Sequence, residues 1–201
     1  MWMARIWSRS WSSNPVLAWR SQPRPPLQFA RKGRQAEKRR RLNEAQIAEP
    51  AHVSYVAHDF ESGSMTVALK AAGLDPDKGA FVLWLGVTPY LTEEAVFATL
   101  GELSRWPGGT EVVFDYTNPP EAVDEPNARN FHREMAERVA ASGEPFRGYF
   151  DSAALHARAR GLGFCDIEDL DRAALVARYL QDLPVAPRPG SGGHVVRMAT
   201  G

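Results

Sequence analysis

Three places in this chain put polar or aromatic residues directly after an apolar, strand-like run. Asp59-Phe60 follows Val53–Ala57, Leu85-Gly86-Val87-Thr88 closes the run Phe81–Leu85, and Asp115-Tyr116 ends Glu111–Tyr116. Side chains at strand ends suit ligand binding: carboxylates accept hydrogen bonds, aromatic rings form walls, and glycine lets backbone approach closely. Each place also has a plainer reading. Asp59 is an acid in a strand-to-helix turn, where Asp is common. Gly86 and Thr88 fit a tight turn before Pro89. Tyr90 either lines a pocket or packs beside Leu91. Asp115 faces an acceptor, caps a loop or pairs with an arginine. A fourth stretch, Gly143-Glu144-Pro145-Phe146-Arg147-Gly148-Tyr149-Phe150, reads as a pocket wall or lid. Arg147 suits a bidentate grip on a carboxylate, or stacking on Phe146 or Tyr149.

Several chemistries are excluded. The histidines (His52, His58, His132, His156 and His194) include no i,i+4 pair, and with a single cysteine, Cys165, no metal site is expected. Cys165 lies in a strand-like run and reads as a buried structural thiol. There is no Gly-x-Ser-x-Gly elbow and no Gly-x-x-x-x-Gly-Lys loop. No apolar run approaches the ~18–20 residues of a membrane span. A secretory core segment is also missing, so a soluble, reducing, cytoplasmic setting is expected.

The elements that must position these residues follow from periodicity and caps. Gln35–Gln46 reads as a helix, Val53–Ala57 as a strand and Ser64–Ala72 as a helix ending at Gly73. Phe81–Leu85 is continuously apolar, as a strand covered on both faces would be. Thr92 caps the next helix, with Glu93 and Glu94 at its positive end and Val96, Leu100 and Leu103 on its buried stripe. Glu111–Tyr116 is a strand and Asn127–Ala141 a helix. Asp151 caps a helix to Arg160, Phe164–Leu170 is a strand, and Arg172–Leu180 a short helix. Pro184–Gly193 is a linker, and His194–Met198 a last strand. Alternation of this kind argues an α/β fold with a mainly parallel, doubly wound (Rossmann-like) sheet and an antiparallel terminal strand.

Net charge is zero but unevenly spread. Residues 1–41 hold eleven Lys/Arg against Glu37 alone, so this end carries about +10 and the rest about −10. Met1–Arg34 has four of the six tryptophans, no acid, and no lasting period. Three readings compete for it: a basic arm for nucleic acid or an acidic surface, an organellar transit peptide, or out-of-frame sequence joined to a real domain. Low order is expected in all three. The chain thus divides into a basic, disordered head (1–34) and a domain (35–201).

The segments Lys38–Leu42, Val53–Phe60, Phe81–Leu91, Gly108–Tyr116, Gly143–Phe146 and Leu162–Phe164 come in an order and spacing that resemble the class I S-adenosylmethionine-dependent methyltransferases. Leucine carboxyl methyltransferases and related bacterial O-methyltransferases are the most similar. The resemblance covers about Gln35 to Met198. It implies a sheet of order 3-2-1-4-5-7-6 and O-methyl transfer from S-adenosylmethionine to a small-molecule, carboxylate-type acceptor, without a metal. It places Asp59 and Phe60 at the adenine, and Leu85 and Gly86 at the cofactor. Thr88, Tyr90, Asp115, Tyr116, Arg147 and Tyr149 become candidates for the acceptor pocket. The family's first strand ends in a glycine-rich turn, and its second in an acid for the ribose. Nothing in Met1–Arg34 supplies either, since Gly33 is its only glycine. The chain reads as a truncated domain lacking the N-terminal cofactor half, with weak or absent cofactor binding expected. Two other classes stay open: a non-catalytic remnant that binds an intact relative, and a nucleic-acid binder using the head. The head's lack of any interleaved pattern argues against the last.

Overall fold

The computed structural model describes residues 3–8, 27–30, 32–48, 53–123, 126–141, 143, 145–180 and 192–201. In chain order the strands are β1 (Met3–Ser8), β2 (Leu27–Ala30), β3 (Ser54–Ala57), β4 (Ala80–Leu85), β5 (Thr110–Thr117), β6 (Phe164–Asp171) and β7 (Gly193–Thr200). The helices are α1 (Lys32–Glu44), α2 (Met65–Ala71), α3 (Glu93–Ser104), α4 (Pro126–Ala141), α5 (Ser152–Gly161) and α6 (Arg172–Tyr179). Among the described residues the strands form one seven-stranded sheet of order β3-β2-β1-β4-β5-β7-β6.

From β3 onward the elements stand where residue periodicity puts them, and their caps explain why. Ser64, Thr92, Asp151 and Asp171 each accept a hydrogen bond from the backbone N–H three residues on, which fixes the starts of α2, α3, α5 and α6. The apolar runs of β4 and β5 pair in parallel, Ala80 beside Thr110 through Trp84 beside Phe114. Val82, Trp84, Val112, Phe114 and Tyr116 point into the main core. There they meet Val96, Leu100 and Leu103 of α3, Leu155 and Ala159 of α5, and Val196 and Met198 of β7. Phe81 and Leu83, on the other face of β4, are only half-buried, so the run is not covered equally on both sides.

The basic head departs from expectation. Ten of its residues form β1 and β2, and these fill the positions beside β4. The strand order is therefore the one the resemblance implies, but the direction of one strand is not. β2 runs parallel to β3. β1 runs antiparallel to both β2 and β4, with Met3 opposite Leu85 and Ser8 opposite Ala80. The sheet thus holds two reversed strands, β1 and β7, rather than a terminal one alone. The physical reason is the open edge of β4. Unpaired N–H and C=O groups of a buried strand need partners, and an antiparallel ladder supplies them without a crossover helix.

Cys165 is exposed, which corrects the expectation of a buried thiol. β6 is an edge strand, and its neighbour Phe164 takes the inward position. No helix among the described residues is long and apolar enough to cross a membrane. The expected linker lies mostly outside the described residues, as does Glu144.

At the amino ends of β4 and β5 two backbones touch. A Cβ built on Gly108 would stand 1.9 Å from Gly79 N and 2.5 Å from the Asp77 carbonyl oxygen. One on Gly79 would stand 2.4 Å from the Gly108 carbonyl oxygen, and Gly79 has φ +69°. Neither neighbour is a flexible side chain, so both must stay glycine for the strands to start in register. Gly108→Ala should lower stability by about 1–3 kcal/mol, the usual cost of overpacking, in urea unfolding followed by circular dichroism. An unchanged midpoint would show that this crossing is slack.

Candidate functional site

The carboxyl ends of β3, β4 and β5 lie on one edge of the sheet, the edge where doubly wound folds bind ligands. Asp115 organises it. The Gly86 N–H donates to Asp115 Oδ1 at 2.5 Å, and the Thr88 hydroxyl donates to the Asp115 carbonyl oxygen. Gly86 has φ +67°, a conformation that favours glycine, and Thr88 is fully buried. The turn after β4 is therefore held against the end of β5 by one residue. Burial pushes the Asp115 carboxyl above its ordinary range, and the Gly86 N–H offsets part of that rise.

The turn after β3 is the second part. The Glu61 N–H donates to Asp59 Oδ1 at 3.2 Å, and Asp59 pairs with Ser62 in an isolated bridge. The Asp59 residue itself is exposed. Phe60 lies inward, its ring 5.2 Å from Trp84 and 5.2 Å from His58. Trp84 Nε1 is buried without a hydrogen-bond partner.

A third part comes from the loop before α5. Arg147 donates its backbone N–H to the Pro89 carbonyl oxygen at 2.7 Å, and its guanidinium pairs with Glu61 at 3.2 Å. Glu61 also accepts from the Thr92 N–H at 2.9 Å and the Thr92 hydroxyl at 3.0 Å. One carboxylate thereby ties the β3 turn, the start of α3 and the 145–149 loop together. Tyr90 packs on Phe146 at 5.4 Å between ring centroids, and Phe146 on Tyr149 at 6.4 Å. The rings of Tyr90, Phe146 and Tyr149 make a wall beside the strand ends. Burial raises the Tyr149 hydroxyl above its ordinary range.

Asp59, Phe60, Leu85, Gly86, Thr88, Tyr90, Asp115, Arg147 and Tyr149 thus gather at this edge. Tyr116 does not join them. It is 1% exposed, and its hydroxyl donates to Asp169 Oδ2 at 2.5 Å and lies 2.7 Å from Ser152 Oγ. Burial, and then the bond to Asp169, push that hydroxyl strongly upward. Asp169 is also bonded to His156 Nε2 at 2.7 Å and His194 Nδ1 at 3.0 Å. Burial alone would raise the Asp169 carboxyl, but the bonds from His194, Tyr116 and His156 outweigh it and hold it below the ordinary range. Glu61 and Asp169 are the residues that sequence reasoning passed over. Their partners lie 31 and 86 residues from Glu61, and 53 and 25 residues from Asp169, far outside any local pattern.

Could these residues hold S-adenosylmethionine? The adenine end fits: an exposed carboxylate at Asp59, with Phe60 behind it. The ribose and amino-acid ends do not. β1 is reversed, so the chain leaves it at Ser8, beside the first residue of β4 and away from the site. Among the described residues, none that follows β1 directly lies at this edge. β2 does end here, its Ala30 beside Ala57, but Arg31 and Lys32 follow where the resemblance expects an acid. Among the described residues there is no group of three or more His, Cys, Asp or Glu placed to hold a metal ion.

The strand order and the location of this edge define a class I methyltransferase-type α/β fold. Residues 31–104 match the model of the leucine carboxyl methyltransferase family. The chain is 32% identical over 114 residues to YktD of Bacillus subtilis (strain 168), a protein assigned, without proof of its activity, as an S-adenosyl-L-methionine-dependent methyltransferase. That match covers 56% of this chain and 37% of YktD, so the chain spans well under half of that relative. Two solved structures share the fold. One is a possible exported protein from Bordetella parapertussis, with TM-score 0.55, 14% identity, and coverage of 87% of this chain and 52% of that one. The other is an O-methyltransferase family protein from Burkholderia thailandensis, with TM-score 0.50, 7% identity, and coverage of 86% and 42%.

The opposed shifts of the two acids give a pH signature. Asp115 has a raised folded pKa, so its ionised form costs stability at neutral pH, and that cost is relieved as pH falls through the folded value. Asp169 has a depressed one, so its contribution is present above the unfolded value of about 3.9 and is lost as pH falls through the folded value. Asp115→Asn should therefore flatten the stability gained as pH falls from neutrality through the folded value towards the unfolded value of about 3.9. Urea midpoints across that range check it, and identical slopes in both proteins would contradict the assignment.

Proposed function

We propose that this chain takes part in S-adenosylmethionine-dependent O-methyl transfer to a small-molecule acceptor. The observation that carries the reading is the assembly of the β3 and β4 ends, which lie in the segment that matches the leucine carboxyl methyltransferase model, with the end of β5 beside them. The methyl group is electrophilic on the bound sulfonium. The protein's part is to position the acceptor oxygen and exclude water. The aromatic wall of Tyr90, Phe146 and Tyr149 suits the acceptor side, and Asp59 with Phe60 suits the adenine.

The reversed β1 and the basic residues after β2 support a second reading, a partner of an intact relative that binds cofactor poorly itself. The two readings are separated by titration calorimetry with S-adenosylhomocysteine and, in parallel, adenosine. Because the described residues serve the adenine end, both ligands should bind this chain with similar, weak affinity, near a Kd of ~1 mM or about −4 kcal/mol. Asp59→Ala should weaken each by roughly tenfold, the loss of one charge-assisted hydrogen bond. A folded chain that binds neither ligand would sink the methyl-transfer reading and leave the partner reading. Micromolar S-adenosylhomocysteine binding would mean that the ribose and amino-acid ends are served as well.

A further inference from the structure

His132 of α4 is fully buried, and among the described residues neither of its ring nitrogens has a hydrogen-bond partner. Among the described residues, Trp84 Nε1 is the one other buried side-chain polar atom in this condition. A neutral imidazole presents one N–H donor and one lone pair, and leaving both unmatched in a protein interior is unfavourable. Such a group is normally paired, so an orphaned ring calls for a partner beyond the described residues, and a bound molecule can supply one.

Its position says what that partner meets. The ring lies 5.8 Å from Tyr149, the last ring of the wall that begins at Tyr90. Gly192 lies against its other side: a Cβ built there would stand 3.7 Å from His132 Cδ2 and 2.9 Å from Val123 Cγ2. The Gly192 carbonyl oxygen accepts from the Asn118 N–H, just past the end of β5. His132 therefore sits at the same sheet edge as Asp115 and the aromatic wall, over the β5 side.

The electrostatics select the ligand class. Burial holds the imidazole below its ordinary pKa, so it is neutral near neutral pH, and Glu121 already places a negative charge in its surroundings. Of the nearby cations, Arg147 is engaged by Glu61, and Arg129 donates to the Val123 carbonyl oxygen. A carboxylate at this point would be a second negative charge facing a neutral ring. A neutral hydroxyl is complementary, because it donates to the ring's lone pair and brings no charge into the interior.

We propose that His132 is the polar contact for the methyl acceptor, and that the acceptor is a neutral hydroxyl compound with an aromatic body rather than a carboxylate. This rests on the methyl-transfer reading for the word acceptor, but the binding site itself does not require it. The test uses the whole chain without cofactor. The histidine ring nitrogens are followed by proton–nitrogen NMR while phenol, and separately benzoate, is added. The His132 signals are assigned by their absence in His132→Leu, or in His132→Phe should the leucine variant fail to fold. Phenol should shift the His132 signals saturably and bind roughly ten times more tightly than benzoate. The folded variant should lose that binding and melt at a higher temperature, since the replacement removes orphaned polar groups. Unmoved His132 signals up to the solubility limit of phenol would overturn the proposal. So would benzoate binding there as tightly as phenol, or phenol binding that survives in the variant. Failure of the calorimetric titration would leave this result standing, and failure here would leave cofactor binding standing.

Discussion

The candidate site depends on Asp115 more than on any other residue. Its side chain accepts from the Gly86 N–H and its carbonyl oxygen accepts from the Thr88 hydroxyl. Two parallel strands share a lateral ladder, but that ladder stops at Trp84 beside Phe114. Beyond it the β4–β5 ladder no longer ties the turn after β4 to β5. A half-buried carboxylate with a single strong N–H partner does so, and the energetic cost of burying it is the condition for a rigid turn. Everything downstream inherits that geometry. Pro89 accepts the Arg147 N–H, Tyr90 supports Phe146, and Thr92 caps α3 while holding Glu61.

The next residue along β5 serves a different purpose. Successive side chains of a strand point to opposite faces. Asp115 faces the site turn, and Tyr116 faces the core, where it meets Asp169, Ser152 and the stacked ring of His194 at 4.8 Å. Asp169 then draws His156 from α5 and His194 from β7. The far half of the sheet is thus locked by the Asp169 carboxylate with three side-chain partners, while the site half is locked by Asp115, whose carboxylate holds the Gly86 N–H and whose carbonyl oxygen holds the Thr88 hydroxyl. The first rests below its ordinary pKa and the second above it, because hydrogen bonds outweigh burial in one case and not in the other.

Much of this was legible in the residues. Apolar runs marked β4 and β5, and the Thr92 and Asp151 caps marked the starts of α3 and α5, because these signals are local. The gathering of strand-end residues was also readable, since a doubly wound sheet brings its carboxyl ends together whatever the side chains. The failures share a cause. β1 and β2 carry no alternation that marks them, and they form because β4 has an edge to fill. Cys165 sits in an apolar context by sequence but on an outer strand by topology. Tyr116 looked like a site residue next to Asp115, and the two-residue period sends it the other way. Arg147, read as a grip on a carboxylate or a cation stacked on Phe146 or Tyr149, pairs with Glu61, 86 residues away, a contact that no local pattern signals.

The two borders of the sheet are finished differently. On one side β3 is only four residues long. On the other, β6 carries Asp166, Glu168, Asp169 and Asp171, and its pairing is interrupted by a register shift between Phe164 and Asp166. A short border offers little ladder to a passing chain, and a bulged, acidic one repels its own copy. Among the described residues β6 is the longer of the two borders, and its bulge stands where sheets of neighbouring molecules would otherwise join.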